Sequence, residues 1–232
     1  MKDITGADLM FNAVMNGGVA VVDPRGIRDL SPDLLDAHGR LQLMPASYYA
    51  KTTNQERAFF GNRHGAYVLP TIELIEYLRE RIGGRSAIEV GSGNGLVAEA
   101  LGIPATDSHQ QTEPAVERAY REAGQAPIRY GSNVEKLDAL SAVRKYRPQV
   151  VLACWVTHRW NPQDTERGGN VDGVDERELL SLCDEYLFLG YRKVHSQKPI
   201  MSMSHRTESP MGLYSRALLP DQDFVAAWTR EP

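Results

Sequence analysis

The sequence predicts an α/β fold, a doubly wound, mainly parallel sheet that ends in an antiparallel strand pair. Three observations carry this. From about residue 86 onward, short apolar runs alternate with longer helical patterns, as in successive βαβ units. The first of these strands runs straight into Gly91-Ser92-Gly93-Asn94-Gly95. Two late segments, 213–218 and 224–228, flank Pro220-Asp221-Gln222-Asp223, turn chemistry suited to an antiparallel pair.

Taken in order, residues 72–82 form a helix, with Leu74, Ile75, Leu78 and Ile82 on one face, Glu73 and Glu76 early, Arg79 and Arg81 late, and Gly83-Gly84 at the stop. This helix is expected to dock on the first strand, 86–90, which the glycine loop and a short apolar helix, 96–101, follow. A second strand, 103–106, ends on Asp107. Thr112 is placed to cap the next helix, in which Pro114 is the second position and Val116, Ala119, Tyr120 and Ala123 recur at helical spacing before Gly124. Residues 127–130 read as the third strand and 135–146 as a helix with Leu137, Leu140 and Val143 on one face, stopped by Pro148. The run 150–156 is the fourth strand, and the fifth, 186–189, follows a helix opened by the Asp175-x-x-Glu178 capping pattern. Two stretches, 10–44 and 160–174, match neither period; long glycine-rich connections of this kind often cover binding sites.

A chain of 232 residues suits one large α/β domain over two small ones. We divide it into an N-terminal extension, 1–70, packed on the core as a cap, and a core domain, 71–232. With 42% hydrophobic and 24% charged residues the composition is that of an ordinary globular protein. Met1 to Asp8 lack the basic and apolar regions of a secretory signal, and the run 150–156 is too short to span a bilayer, so a cytoplasmic location is expected. Cys154 and Cys183 both sit in apolar segments and read as buried thiols. The net charge of -4 and the scatter of the basic residues disfavour a nucleic-acid partner and favour a small-molecule substrate.

A strand leading into Gly-x-Gly-x-Gly sets backbone N–H groups and a helix N-terminus at the carboxyl edge of a parallel sheet. The dinucleotide fingerprint needs Gly-x-Gly-x-x-Gly, and Leu96 stands where its third glycine belongs, which weakens a nicotinamide-dependent oxidoreductase. The run Glu89-Val90-Gly91-Ser92-Gly93-Asn94-Gly95 instead resembles the first motif of the Rossmann-like class I S-adenosylmethionine-dependent methyltransferases. That family also places an acid at the end of the second strand, and Asp107 stands there. The resemblance spans about 72–189 and the terminal strand pair. It implies S-adenosyl-L-methionine as cofactor and methyl transfer as activity. It also implies cofactor contacts at Glu89, Gly91, Ser92, Gly93, Asn94, Gly95, Asp107, Ser108, Cys154 and Tyr67, with Asn133 bonding the adenine and Val134 packing on it. Asp107 offers a bidentate acceptor for a ribose diol.

The end of the fourth strand lacks the Asn-Pro-Pro-Tyr or Asp-Pro-Pro-Tyr pattern of methyltransferases that act on DNA amino groups. His158, just past that strand, is the candidate general base, with Trp155 and Trp160 as candidate substrate walls. Tyr67 and His64, ahead of the docking helix, are candidate contacts over the cofactor. The remaining histidines show no metal-ligand spacing, so no metal site is expected. The competing reading is a module that binds S-adenosylmethionine without transferring its methyl group.

Overall fold

A computed structural model describes residues 25–230; the expectations for Met1 to Asp8 and for the first part of 10–44 lie outside them. The helix α1 (Ser31–Leu34), α2 (Ala46–Tyr49) and α3 (Asn54–His64) form a first layer with their own core of Leu30, Leu34, Tyr49, Phe60, Ala66 and Leu69. Thr53 and Glu56 close a capping box on α3, each side chain taking the other's backbone N–H, and Gly65 ends it at φ 64°. The docking helix α4 (Ile72–Ile82) is capped by Thr71 and buries the four apolar residues that the pattern marks.

The sheet strands are β1 (Ala87–Val90), β2 (Ala105–Asp107), β3 (Val134–Lys136), β4 (Val150–Cys154), β5 (Glu185–Tyr191), β6 (Arg206–Glu208) and β7 (Asp223–Thr229). They run in the order β3-β2-β1-β4-β5-β7-β6, with β1 to β5 parallel and β7 and β6 antiparallel. This is the predicted Rossmann-like, doubly wound class with a terminal antiparallel pair. Both faces are covered, as buried parallel strands require. Ile88, Val90, Val151, Ala153, Tyr186, Phe188, Phe224, Ala226 and Trp228 point to one side, and α7 (Ala139–Tyr146) and α8 (Glu176–Ser181) cover them. Val150, Leu152, Leu187, Leu189, Val225 and Ala227 point to the other and meet α4. The docking helix shares this cluster with β4, β5 and β7, and Ala87 of β1 packs against it.

Four sequence expectations are corrected. The third strand is β3, not 127–130. That stretch and the residue before it are held by a side chain and by the first layer instead of a ladder: Ile128 N donates to Gln111 Oε1 (2.9 Å) and Ala126 N to Asn62 O (2.8 Å). The helix expected at 135–146 begins only at Ala139, because Glu135 belongs to β3 and Asp138 caps the helix by accepting from Ser141 N at 3.0 Å. Thr112 caps nothing; its hydroxyl donates to His109 O, and α6 (Pro114–Glu122) starts from Glu113 without a side-chain cap. The antiparallel pair is β6 with β7, whereas 213–218 makes only a single bridge, Val68 with Ser215. The sequence hides β6 because its three residues, Arg206-Thr207-Glu208, are all exposed and polar.

Among the described residues no helix is long and apolar enough to cross a membrane. Cys154 and Cys183 are free thiols.

Candidate functional site

Pairing register sets the site. Val90 pairs with Thr106 on one side and Ala153 on the other, so Gly91, Asp107 and Cys154 leave the sheet side by side at its carboxyl edge. That edge, between β1 and β4, is where the winding of the sheet reverses and where ligands of such folds lie.

The loop that starts there needs its glycines. Gly91, Gly93 and Gly95 have φ of 59°, 56° and 73°, the left-handed region that other residues enter at a cost. A Cβ on Gly91 would collide with Val156, and one on Gly95 would lie 2.6 Å from Val134 Cγ2. A Cβ on Gly93 would meet only an ordinary van der Waals contact, Ile128 at 3.5 Å, so this glycine is held by its φ and not by crowding. Glu89 Oε2 accepts from Ala98 N at 2.9 Å and ties β1 to the next helix, α5 (Leu96–Leu101). Asp107 accepts from Gly93 N at 3.0 Å and from His109 N at 2.9 Å, which locks the loop to the end of β2.

These groups line a cavity of about 290 Å³. Of the residues expected to hold the cofactor, Glu89, Gly91, Ser92, Gly93, Asn94, Asp107, Ser108, Cys154 and Tyr67 line it. Gly95, Asn133 and Val134 do not. Asn133 spends its amide on Gly95 O (3.1 Å), and Val134 packs into the small core under α5 with Ala98 and Ala105. The displacement of the third strand explains this correction: Asn133 and Val134 lead into β3 instead of leaving the third strand. On that side the wall is built by Gln111, Ile128 and Tyr130.

His158 is also outside the lining. Its ring is buried beside Gly169, and burial, aided by the Lys198 charge, pushes the imidazole down to about 4. It is therefore neutral near pH 7 and serves the 157–174 connection, where His158 bridges Val174 and Arg159 bridges Asn170. His64 stands apart too, bonded to Ser31 Oγ at 2.7 Å. Trp160 lies in the loop ladder, its backbone N–H on Asn170 O, but Trp155 does line the cavity. Trp155 has φ 55°, a strained conformation for a bulky residue, and stacks on Tyr191 with ring centroids 5.8 Å apart.

Burial dominates the charge state of the acids. It pushes Glu89 up to about 8 against donation from Ala98 N and the Cys154 thiol, and nearby Asp107 adds to the rise. It raises Asp107 as well and holds the Cys154 thiol well above the usual thiol range, so Cys154 is no nucleophile.

Sequence reading found Tyr67 but missed Gln111, Tyr120, Gln125, His195 and Arg216 on the same lining. Tyr67 OH lies 3.0 Å from Tyr120 OH, which accepts from Gln111 Nε2 at 2.9 Å. Gln125, His195 and Arg216 complete the wall. None belongs to a motif, and they meet only because the first layer, α6 and the segment before β7 converge over one strand edge. The 157–174 connection reaches across as well, with Gln110 Nε2 donating to Asp172 Oδ2 (2.9 Å) and Asn170 Oδ1 (3.1 Å). Among the described residues no group of three or more His, Cys, Asp or Glu gathers as a metal site.

No family model matches the chain, and no curated protein matches it. Among solved structures it is similar to a SAM-dependent methyltransferase from Agrobacterium tumefaciens, with 12% identity over 67% of this chain and 60% of that one and a TM-score of 0.33. The chain therefore spans 60% of that enzyme's length. It is similar to human N-acetylserotonin methyltransferase in complex with SAM, with 10% identity over 96% of this chain and 66% of that one and a TM-score of 0.32. It is also similar to the hMettl16 catalytic domain in complex with an RNA hairpin, with 12% identity over 85% of this chain and 89% of that one and a TM-score of 0.35. Likenesses of this size add nothing to what strand order and site geometry show by themselves.

Proposed function

We propose that the chain is an S-adenosylmethionine-dependent methyltransferase with a small-molecule acceptor. One observation carries the reading: the left-handed glycine loop and the Asp107 carboxylate are bonded to each other and line one cavity at the switch point of the sheet. The residues present fit the cofactor. Gly93 brings bare backbone to the cavity, Asp107 has lone pairs left for a ribose diol, and Ser92 and Gln125 line the cavity with their Oγ and Nε2 atoms buried and without a partner.

When bound, the cofactor supplies an activated methyl group on a sulfonium centre. The work left to the chain is positioning. Asp107 and the 91–94 backbone would fix the adenosyl part, while Tyr67, Trp155 and the clasped 157–174 connection exclude water. In this reading the 25–70 layer is the cap, since Gly65, Tyr67, Val68 and Pro70 close the cavity from its side. A net charge of -4 favours a small acceptor over a nucleic acid.

One observation favours the second reading, a binding module without transfer. His158 does not line the cavity, and His195, which does, already accepts from Tyr191 N on Nδ1 at 2.9 Å. Incubation of the protein with methyl-labelled S-adenosylmethionine and a fractionated cell extract separates the two. Label in the small-molecule fraction supports the first reading, binding with no transfer supports the second, and label confined to RNA or protein contradicts the small-acceptor claim.

Glu89 gives a pH signature. In the ligand-free protein its carboxyl is neutral below about 8, and a cation bound beside it favours the ionised form. Binding of the sulfonium cofactor therefore releases a proton, and its affinity rises with pH and levels off above about 8. S-adenosylhomocysteine, with a neutral sulfur, lacks this component. The ratio of the two affinities, followed by calorimetry across that range, is expected to climb in wild type and to stay flat in Glu89→Gln.

A further inference from the structure

Among the described residues Arg216, half-buried, differs from other cations that reach into the fold. Arg57 donates to Thr52 O and Tyr49 O, Arg81 and Arg85 share Glu185, and Lys198 pairs with Glu176. Arg216 Nη1 is buried and has no hydrogen-bond partner, although the residue lines the cavity. Its guanidinium is held by rings instead, 3.7 Å from the Tyr67 centroid and 5.9 Å from that of Trp155. Its backbone is pinned as well, with Arg216 N on Tyr67 O at 3.0 Å. Cation–π contact offsets only part of the lost hydration, and a buried donor on a charged group without an acceptor is costly. Gln125, 5% exposed, also lines the cavity and leaves its Nε2 without a partner. A cation set on aromatic rings, with an unfilled donor, matches the planar, two-oxygen geometry of a carboxylate.

We infer that the acceptor is a small organic carboxylate, paired with Arg216 and lying against Trp155 and Tyr67. This rests on the proposed reading for its reaction, but the anion subsite itself does not require the cofactor. Arg216 is a specificity residue here: it selects the acceptor by charge and takes no part in breaking or forming bonds. A carboxylate could also come from the methionine end of the cofactor, and the test separates the two sources.

The probes are benzoate and benzamide, near-isosteres that differ in charge, measured on the full chain by ligand-observed NMR with and without S-adenosylhomocysteine. Wild type is expected to bind benzoate at least about tenfold more tightly than benzamide. Arg216→Gln is expected to abolish that preference and Arg216→Lys to restore part of it. Affinity for S-adenosylhomocysteine and for 5'-methylthioadenosine, which has no carboxylate, is expected to stay unchanged in Arg216→Gln. The proposal is overturned by equal binding of benzoate and benzamide to wild type or by no saturable benzoate binding. It is equally overturned if Arg216→Gln weakens S-adenosylhomocysteine while sparing 5'-methylthioadenosine, which would assign the arginine to the cofactor. If Arg216→Gln fails to fold, judged by its thermal melt, the wild-type comparison of benzoate with benzamide decides. A wild type that binds benzoate selectively but not S-adenosylhomocysteine would refute the cofactor reading and leave the anion subsite standing.

Discussion

Replacing Lys198 with Met is expected to destabilise the protein by about 3–5 kcal/mol, the range for removing one partner of a buried ion pair. Lys198 is 1% exposed; its ammonium donates to Val156 O at 2.7 Å, lies 3.1 Å from Glu176 Oε1 and sits 4.4 Å from the Phe188 ring centroid. Without it, Glu176 would keep only the Tyr186 hydroxyl at 2.7 Å, and its second oxygen is already without a partner. Urea denaturation of Lys198→Met, Glu176→Leu and the double variant gives the coupling directly. The double variant is expected to recover most of the loss, because a packed apolar pair costs far less than an orphaned buried charge. A single variant within about 1 kcal/mol of wild type would show that the pair carries no weight. The effect should also reach the cavity, since Val156 is the residue packed against Gly91.

The second large effect is on binding. Asp107→Ala removes the acceptor for Gly93 N and His109 N together with the lone pairs assigned to the ribose. Hydrogen bonds to charged groups contribute about 1.5–3 kcal/mol, so affinity for S-adenosylhomocysteine is expected to fall by about one to two orders of magnitude. Adenosine, which keeps the diol, should weaken in parallel, whereas a loss confined to S-adenosylhomocysteine would place the amino-acid end at Asp107. A fall of less than about threefold would remove Asp107 from the site.

Much of the scaffold is legible in the sequence because its signals are local. Helix α4 shows its buried face, Asp175 its cap and the glycine loop its turn, and all three are found where the residues put them. What misleads lies at the sheet edges. β3 and β6 are three-residue strands, Val134-Glu135-Lys136 and Arg206-Thr207-Glu208, formed by pairing alone, with little apolar alternation to betray them. The segment 213–218 looks more like a strand but bridges to Val68 of the first layer through Ser215. The site divides in the same way. Asp107 and the glycines follow one another closely along the chain, whereas Arg216 reaches Tyr67 only through the tertiary fold. His158 is misread because position after a strand says nothing of which way a ring turns.

The central claim, that the glycine loop and Asp107 hold an adenosyl ligand, is tested most directly by calorimetric titration of S-adenosylhomocysteine into wild type and Gly93→Asp. Gly93 suits the purpose because a Cβ there meets only an ordinary contact with Ile128 at 3.5 Å, at a backbone cost of about 1–2 kcal/mol for its positive φ. The account predicts saturable one-to-one binding by wild type, and its loss in a folded Gly93→Asp protein whose carboxylate would occupy the ligand's place. Absence of binding in wild type, or equal binding by both proteins, would contradict it.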